Sequence, residues 1–418
     1  VDGRVPHVRG GEDLAAGGRG QRRRCRRGSR DQGAGEEGYD TRQGGGARLG
    51  YPLAVEELQL AERLIAYDTS RRSGLRHALD FIAGWLDGRG VSVRRVQVED
   101  REAIVARAGG DGVRVIYHGH VDVVPGLPGQ FTPRVDGNRL FGRGAYDMKA
   151  ALACMMLSIA DLAGKLHDAQ TDLIVVPDEE RADPGPNCTE MMVRDGLSAD
   201  LVVCGEPTDM QIGVQAKGVL ILRAEVPGTA AHGATPWLGK NAILRAVDMY
   251  RQIENLPFAG ESSPLFEGPS INLGRIKGGD AVNKVPDRCR VDVDVRYLPT
   301  QESDEVLRQI RSIDPDVDIE VLLQRPPADV DPRHPLVARL IEAASEHEPS
   351  AASVGRDGAS DAVAFLATGT PAVEFGPRGA GHHGPEEHVE IDSLRRYRRA
   401  LTDFSHAVAA TAGEGARA

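Results

Sequence analysis

Apolar positions recur at helical spacing along residues 54–66 and 75–90, which predicts two amphipathic helices. Strand-like apolar runs follow at 91–98, 103–108 and 113–117, the last bounded by turn residues as expected of a buried strand. Residues 149–166, rich in Ala, Met and Leu, predict a long helix, and short apolar runs at 172–177, 200–205 and 371–375 predict further buried strands. Strands alternating with helices point to an α/β domain with a mainly parallel sheet.

The rhythm changes between residues 216 and 327. A strand is predicted at 219–226, a helix at 241–255, strands at 270–277 and 288–297, a helix at 302–313 and a strand at 317–323. That βαββαβ order predicts a ferredoxin-like α+β unit. It has α/β segments on both sides, so it reads as an inserted domain. The expected organisation is an α/β domain in two parts, 51–215 and 328–412, an insertion at 216–327, and a tail at 413–418. No internal repeat is apparent.

Composition sets the first stretch apart. Residues 1–50 are rich in Gly and Arg and contain no Ile, Phe, Met, Trp or Lys. Such a segment cannot bury enough apolar surface to offset its ordering entropy. A disordered extension is expected, and the opening Val1 is consistent with a mis-assigned start. The run Arg22-Arg23-Arg24-Cys25-Arg26-Arg27 leaves a nucleic-acid tail as the alternative. There is no apolar core of a secretory signal.

The whole chain points elsewhere. At 418 residues it exceeds one ordinary core, so two domains are expected. A net charge of −11 argues against a nucleic-acid binder. No apolar run approaches the ~20 residues of a membrane span. Cys25, Cys154, Cys188, Cys204 and Cys289 form no CxxC pair, which fits a reducing compartment and a cytoplasmic enzyme.

The candidate chemistry gathers where apolar runs end. One run leads to His120 and Asp122, a second to Asp178-Glu179-Glu180, a third to Glu206, and a fourth, through a glycine-rich loop, to His382-His383. Asp147 stands at the entrance of the long helix. Ligands of open α/β sheets bind at the carboxyl ends of strands, where these residues fall. A His-x-Asp pair can supply a metal-binding imidazole and the carboxylate that orients it. Two histidines and three carboxylates suit two zinc ions with one carboxylate bridging, which would acidify a water and polarise a carbonyl. A further carboxylate must then move the water's proton, and adjacent Glu179 and Glu180 can divide binding from proton transfer. Each residue taken singly has a structural alternative: a helix cap for Asp147, a turn for Glu206, solvated loop positions for the others. Gly142-Arg143-Gly144 opens like a dinucleotide fingerprint, but Asp147 occupies the place of its last glycine and argues for a cation instead.

The segments GHVDVVP, GRGAYDMK, PDEE, GEPT and the HxPxE-like stretch from His383 resemble the dinuclear zinc hydrolases that include acetylornithine deacetylase, succinyl-diaminopimelate desuccinylase, aminoacylase and carboxypeptidase G. The resemblance spans roughly residues 54–410 and keeps the family's motif order. It implies that His120, Asp147 and Glu206 hold one zinc and that Asp147, Glu180 and His383 hold the other. It further implies that Asp122 orients His120 and that Glu179 is the general base and acid. His383 is preferred over His382 by its spacing to Pro385 and Glu387. Glutamate at 206 is similar to the deacetylase and desuccinylase branch. Ala231-His232-Gly233-Ala234-Thr235-Pro236 resembles a motif whose histidine steadies the oxyanion in the partner subunit's site, which implies a homodimer joined through the inserted domain.

Asn283, Arg296, Gly358 and Ser360 resemble substrate-binding positions. Arg296 has an equal alternative as a sheet-face partner of Asp294, and the Gly358–Ser360 loop as an Asx turn or helix cap. The loop after Glu180, Arg181-Ala182-Asp183-Pro184-Gly185-Pro186-Asn187-Cys188, departs from the family's small, glycine-containing segment and bears on substrate choice. The expected activity is metal-dependent cleavage of the amide bond of an N-acyl amino acid. A dipeptidase or carboxypeptidase of the same family is the alternative. A metal-free relative that binds a ligand without hydrolysis is the alternative of another class. Zinc is the expected metal, with cobalt and manganese able to share the donors.

Overall fold

A computed structural model describes residues 55–165, 168–181, 185–358 and 360–415. The expectation of disorder at 1–50 lies outside the described residues. Helices α1 (Val55–Ile65) and α2 (Arg72–Asp87) lead into the hairpin of β1 (Ser92–Val98) and β2 (Arg101–Gly109), then β3 (Val113–His120). A short hairpin, β4 (Arg134–Asp136) and β5 (Arg139–Phe141), precedes α3 (Lys149–Leu162), β6 (Ala169–Val176), α4 (Cys188–Arg194), β7 (Leu201–Cys204) and β8 (Ile212–Ala216). Next come β9 (Gly218–Pro227), α5 (Ala242–Ile253), β10 (Ser270–Gly278), β11 (Arg288–Tyr297), α6 (Ser303–Arg311) and β12 (Asp318–Arg325). The chain closes with β13 (Ala328–Asp329), α7 (Pro335–His347), β14 (Ser353–Arg356), α8 (Ala362–Leu366), β15 (Ala372–Phe375), β16 (Gly379–Ala380), β17 (His388–Glu390) and α9 (Ile391–Gly415).

The large sheet runs β1-β2-β6-β3-β7-β15-β8-β13, with β14 also on β8. Its centre, β6-β3-β7-β15, is parallel, while β1-β2-β6 and β15-β8-β13 are antiparallel. The expected parallel arrangement therefore covers the centre and the β14–β8 pair, with antiparallel strands at both sides. The two-residue turn between β1 and β2 forces an antiparallel pair there, as short connections must. Every residue of β6 is buried; its second half, Leu173 to Val176, is apolar throughout, and Asp172 before it is paired with Arg107 and Arg114. Helix α3 is apolar almost all round and packs between sheet and outer helices, burying all but two of its positions. It shares its core with α1, α9 and the inner face of the sheet.

Segment 218–325 builds its own sheet, β10-β11-β9-β12, antiparallel throughout. Strand β11 alternates buried and less buried positions, so one face is apolar. That face carries Val291, Val293 and Val295 into a separate core with Ala246, Met249 and Ile310 of α5 and α6. Strand order and helix placement are those of the ferredoxin-like unit expected from the pattern. At the other end, α9 runs on to Gly415, into the stretch expected to be a tail.

Candidate metal centre

The parallel strands β6, β3 and β7 are neighbours, so their carboxyl ends open on one place. His120 closes β3, and Glu180 and Glu206 follow β6 and β7. Asp147 reaches the same place from the entrance of α3, and the Asp147–Met148 peptide is cis. Two motif glycines let that loop sit down on the strand ends. A Cβ at Gly119 would stand 2.6 Å from the Met148 methyl, and one at Gly205 would stand 2.5 Å from it. Glycine before His120 and before Glu206 is thus what allows Met148 to seat itself between β3 and β7. From the other side, Gly376 packs on the Glu206 backbone, where a Cβ would meet the carbonyl oxygen at 2.2 Å.

The result is two donor groups that share one residue. His120, Asp147 and Glu206 offer atoms all within 4.8 Å of one another, and so do Asp147, Glu180 and His383. The Asp147 carboxylate is divided between them. Its Oδ1 lies 3.2 Å from His120 Nε2, and its Oδ2 lies 3.4 Å from His383 Nε2. His383 Nε2 is also 2.9 Å from Glu180 Oε1. His382 belongs to neither group and instead stacks edgewise near Tyr146. His383 holds a left-handed backbone, φ 62°, which is uncommon for a residue with a Cβ.

Asp122 does more than face His120. Its Oδ1 is 3.5 Å from His120 Nδ1, which sits closer, 3.1 Å, to the Asp122 backbone carbonyl. Its carboxylate accepts the backbone N–H groups of Glu179 at 3.2 Å and Glu180 at 2.9 Å. One side chain therefore fixes the end of β3 against the loop after β6.

The electrostatics suit cations. Burial pushes the Glu179 carboxyl up to about 8 and the Glu206 carboxyl well above its usual range, with neighbouring carboxylates adding to both. Hydrogen bonds to Asp147 and Glu180 raise His383 to about 10. Burial opposes a charge on His120, but Asp122, Asp147 and Glu206 outweigh it and its pKa rises. Burial likewise opposes ionisation of Asp147, yet the two histidines hold its carboxyl below the usual range. Asp147 thus stays ionised between two imidazoles while Glu179 and Glu206 are held toward their neutral forms, a cluster in which a cation could take the place of protons.

The remaining expected site residues lie elsewhere. His232 is exposed in the inserted segment, and its Nδ1 accepts the Ala234 N–H at 3.0 Å. The exposed Asn283 is beside it, its carbonyl accepting the Gly233 N–H at 2.7 Å. Arg296 grips Asp294 through Nε and Nη2 at 2.8 and 3.0 Å, the sheet-face alternative. Ser360 is buried, and its Oγ accepts the Ala362 N–H at 3.2 Å at the start of α8. Gly358 is exposed with open space where a Cβ would be.

Residues 116–407 match the profile of peptidase family M20/M25/M40. The chain belongs to that family. It is 32% identical over 303 residues to a putative succinyl-diaminopimelate desuccinylase of Mycobacterium tuberculosis, covering 68% of this chain and 82% of the relative. It is 30% identical over 362 residues to an acetylornithine deacetylase of Myxococcus xanthus, covering 80% and 92%. Its fold is similar to that of a tripeptidase from Staphylococcus aureus, with TM-score 0.72 at 20% identity over 85% of this chain and 98% of that one. A metallo-carboxypeptidase from Sulfolobus solfataricus gives TM-score 0.69 at 17% identity, covering 85% and 99%. As a member of the M20/M25/M40 family the chain is a metallohydrolase acting on amide bonds.

Three groups that frame the centre escaped the sequence reading. Glu387 accepts Arg143 Nη1 at 2.6 Å and the backbone N–H groups of Tyr146 and Asp147 at 3.1 and 3.2 Å. Arg143 in turn donates to the His383 carbonyl at 3.1 Å. Behind the sheet edge, Thr189 links His118 to Asp361, at 2.9 and 2.5 Å. The signal for Glu387 was present in the HxPxE spacing. Arg143 stood in the motif that mimics a dinucleotide fingerprint, and nothing local marks it as buried.

Proposed function

We propose that this chain hydrolyses the amide bond of an N-acyl amino acid with the help of two divalent metal ions, zinc first, with cobalt or manganese suited to the same donors. The observation that carries this reading is the divided Asp147 carboxylate, one oxygen toward each histidine. His120, Asp147 and Glu206 would hold one ion, and Asp147, Glu180 and His383 the other. Bound there, the ions would supply Lewis acidity to water and to the amide carbonyl.

The rest falls to side chains. Glu179 belongs to neither donor group and stays free to accept the water's proton and return it to the leaving nitrogen. Burial raises its carboxyl in the metal-free site, and bound cations would lower it again toward the range of a base that works near neutral pH. Asp122 holds the Glu179 backbone in place. Water adds across the C–N bond, giving a carboxylate and a free amine. A metal-free binding role leaves Glu179 without a task.

His232 would steady the oxyanion from a second copy of the chain. The Ala234 N–H occupies its Nδ1, which leaves the proton on Nε2 as a donor. Trp237, Leu238 and Val282, 75%, 70% and 106% exposed, flank the His232 and Asn283 loops, and an exposed apolar patch of this kind supports a homodimer through the inserted domain. Among the described residues no helix is long and apolar enough to cross a membrane, and Cys154, Cys188, Cys204 and Cys289 are free and buried, which supports a cytoplasmic setting. The N-acyl reading over a dipeptidase rests on the relatives at 30–32% identity, whose names are those of a desuccinylase and a deacetylase.

The test is a hydrolysis screen of N-acetyl-, N-succinyl- and N-formyl-amino acids beside dipeptides, with zinc or cobalt, including Glu179→Gln. Hydrolysis of an N-acyl class is expected. The variant should keep its metal and lose at least ~100-fold in turnover. Full turnover in Glu179→Gln, or activity confined to dipeptides, would overturn the reading.

A further inference from the structure

A carboxylate-bearing substrate needs a cation, and Arg296, the expected one, is already engaged at two nitrogens by Asp294. A different arginine keeps its fork open. Arg356 ends β14, and its stem crosses Gly213 on the neighbouring β8, where a Cβ would stand 2.9 Å from the Arg356 Cγ. The crossing brings Arg356 Nε to Glu374 Oε2 at 3.0 Å. Glu374 is 5% exposed and is therefore a fixed anchor. Among the described residues, neither terminal nitrogen of Arg356 has a hydrogen-bond partner, and the side chain is 31% exposed. An arginine pinned through Nε presents its remaining N–H groups in a set direction, the arrangement that binds a carboxylate with two parallel bonds.

Its place is the border of the metal centre. In the sheet Glu374 pairs with Cys204, two residues before Glu206, and Gly376 packs on the Glu206 carbonyl. The adjoining Gly358 is exposed beside open space.

We propose that Arg356 receives a carboxylate of the substrate through its two terminal nitrogens and so selects N-acyl amino acids that present that carboxylate. The proposal rests on amide hydrolysis at the adjacent metal centre. The carboxylate is either the α-carboxylate of the amino acid or one carried by the acyl chain. Its recognition chemistry is the same in both cases.

The experiment compares wild type with Arg356→Lys, which keeps a cation for Glu374 but loses the fork, and with Gly213→Ala, which displaces the stem. The substrates are an N-succinyl amino acid, the N-acetyl analogue, and the N-succinyl amino acid α-amide. Both variants should lose roughly ten- to a hundredfold in kcat/KM, mainly through KM, on substrates that carry the recognised carboxylate. The substrate lacking it should change by less than about threefold. An unaffected N-acetyl substrate assigns Arg356 to the acyl carboxylate, and an unaffected α-amide assigns it to the α-carboxylate. An equal loss on all three, or no loss on any, overturns the proposal. If wild type hydrolyses none of the three, the reading of the reaction fails separately. Calorimetric titration with succinate and with the N-succinyl amino acid then decides: at least tenfold weaker binding of either by Arg356→Lys supports the proposal, and equal binding of both overturns it.

Discussion

Replacing Glu387 by Gln should damage metal binding from a position that touches no metal. Glu387 is 1% exposed, and its oxygens have separate tasks. Oε2 accepts Arg143 Nη1 at 2.6 Å, and Oε1 accepts the backbone N–H groups of Tyr146 and Asp147 at 3.1 and 3.2 Å. Arg143, itself 4% exposed, carries the link to the His383 carbonyl. The ion pair thus ties the shared carboxylate of one donor group to the histidine of the other. Glutamine keeps the volume but has only one oxygen. With that oxygen toward Tyr146 and Asp147, its NH2 faces the Arg143 guanidinium. With the oxygen toward Arg143, the NH2 faces two backbone donors. A buried cation left without its counter-charge costs about 3–5 kcal/mol, so the metal-free protein should lose stability on that order. Removing a partner that orients metal ligands typically lowers affinity about 10–100-fold. The loss should be greater in the weaker of two binding steps, because the group containing His383 loses support at two residues. Calorimetric titration of the metal-free protein with Zn²⁺, and urea unfolding in chelator, measure the two effects. The double variant Arg143→Met/Glu387→Leu separates them. An apolar pair of similar volume should regain much of the stability, while the Asp147 N–H still lacks its acceptor and affinity stays low. Zinc affinity in Glu387→Gln within about threefold of wild type would refute the reasoning.

Two further outcomes are expected. Asp122→Asn leaves one acceptor for the N–H groups of both Glu179 and Glu180, so turnover should drop at least ~tenfold together with a weaker second metal-binding step, and steady-state rates with an unchanged metal titration would count against this role. Burial holds His118 at about 4, below its usual 6.5, so between those values the unfolded chain binds more protons than the folded one and stability rises with pH. His118 therefore contributes fully above pH 6.5 and loses its contribution as pH falls toward 4. The stability gap between wild type and His118→Gln, measured in chelator, should widen over that window and level off above it. A gap independent of pH would contradict the assignment.

The candidate donors of the centre were legible because each stands after an apolar run or, for Asp147, at the entrance of a helix. A buried strand must end at the sheet's edge, and a charged residue at that point faces whatever the edge binds. That logic needs only local pattern, and it singled out His120, Asp147, Glu206, the Glu179-Glu180 pair and the His382-His383 pair, while the family resemblance chose Glu180 and His383 within the pairs. It could not supply the sheet order. Strand β15 lies between β7 and β8 and runs against β8, and only that order brings Glu374 beside Gly213 and lets Arg356 cross to it. Arg296 shows the opposite case, since Asp294 is two residues away on the same strand face and the pair was readable from spacing alone. Burial of charge is the least readable property of all, because a side chain's type says nothing of what covers it. Arg143 sits between glycines that mimic a nucleotide loop, and its partner lies 244 residues along the chain. A local pattern can therefore find candidate metal donors. It cannot find the buried Arg143–Glu387 pair that ties the Asp147 backbone to the His383 carbonyl.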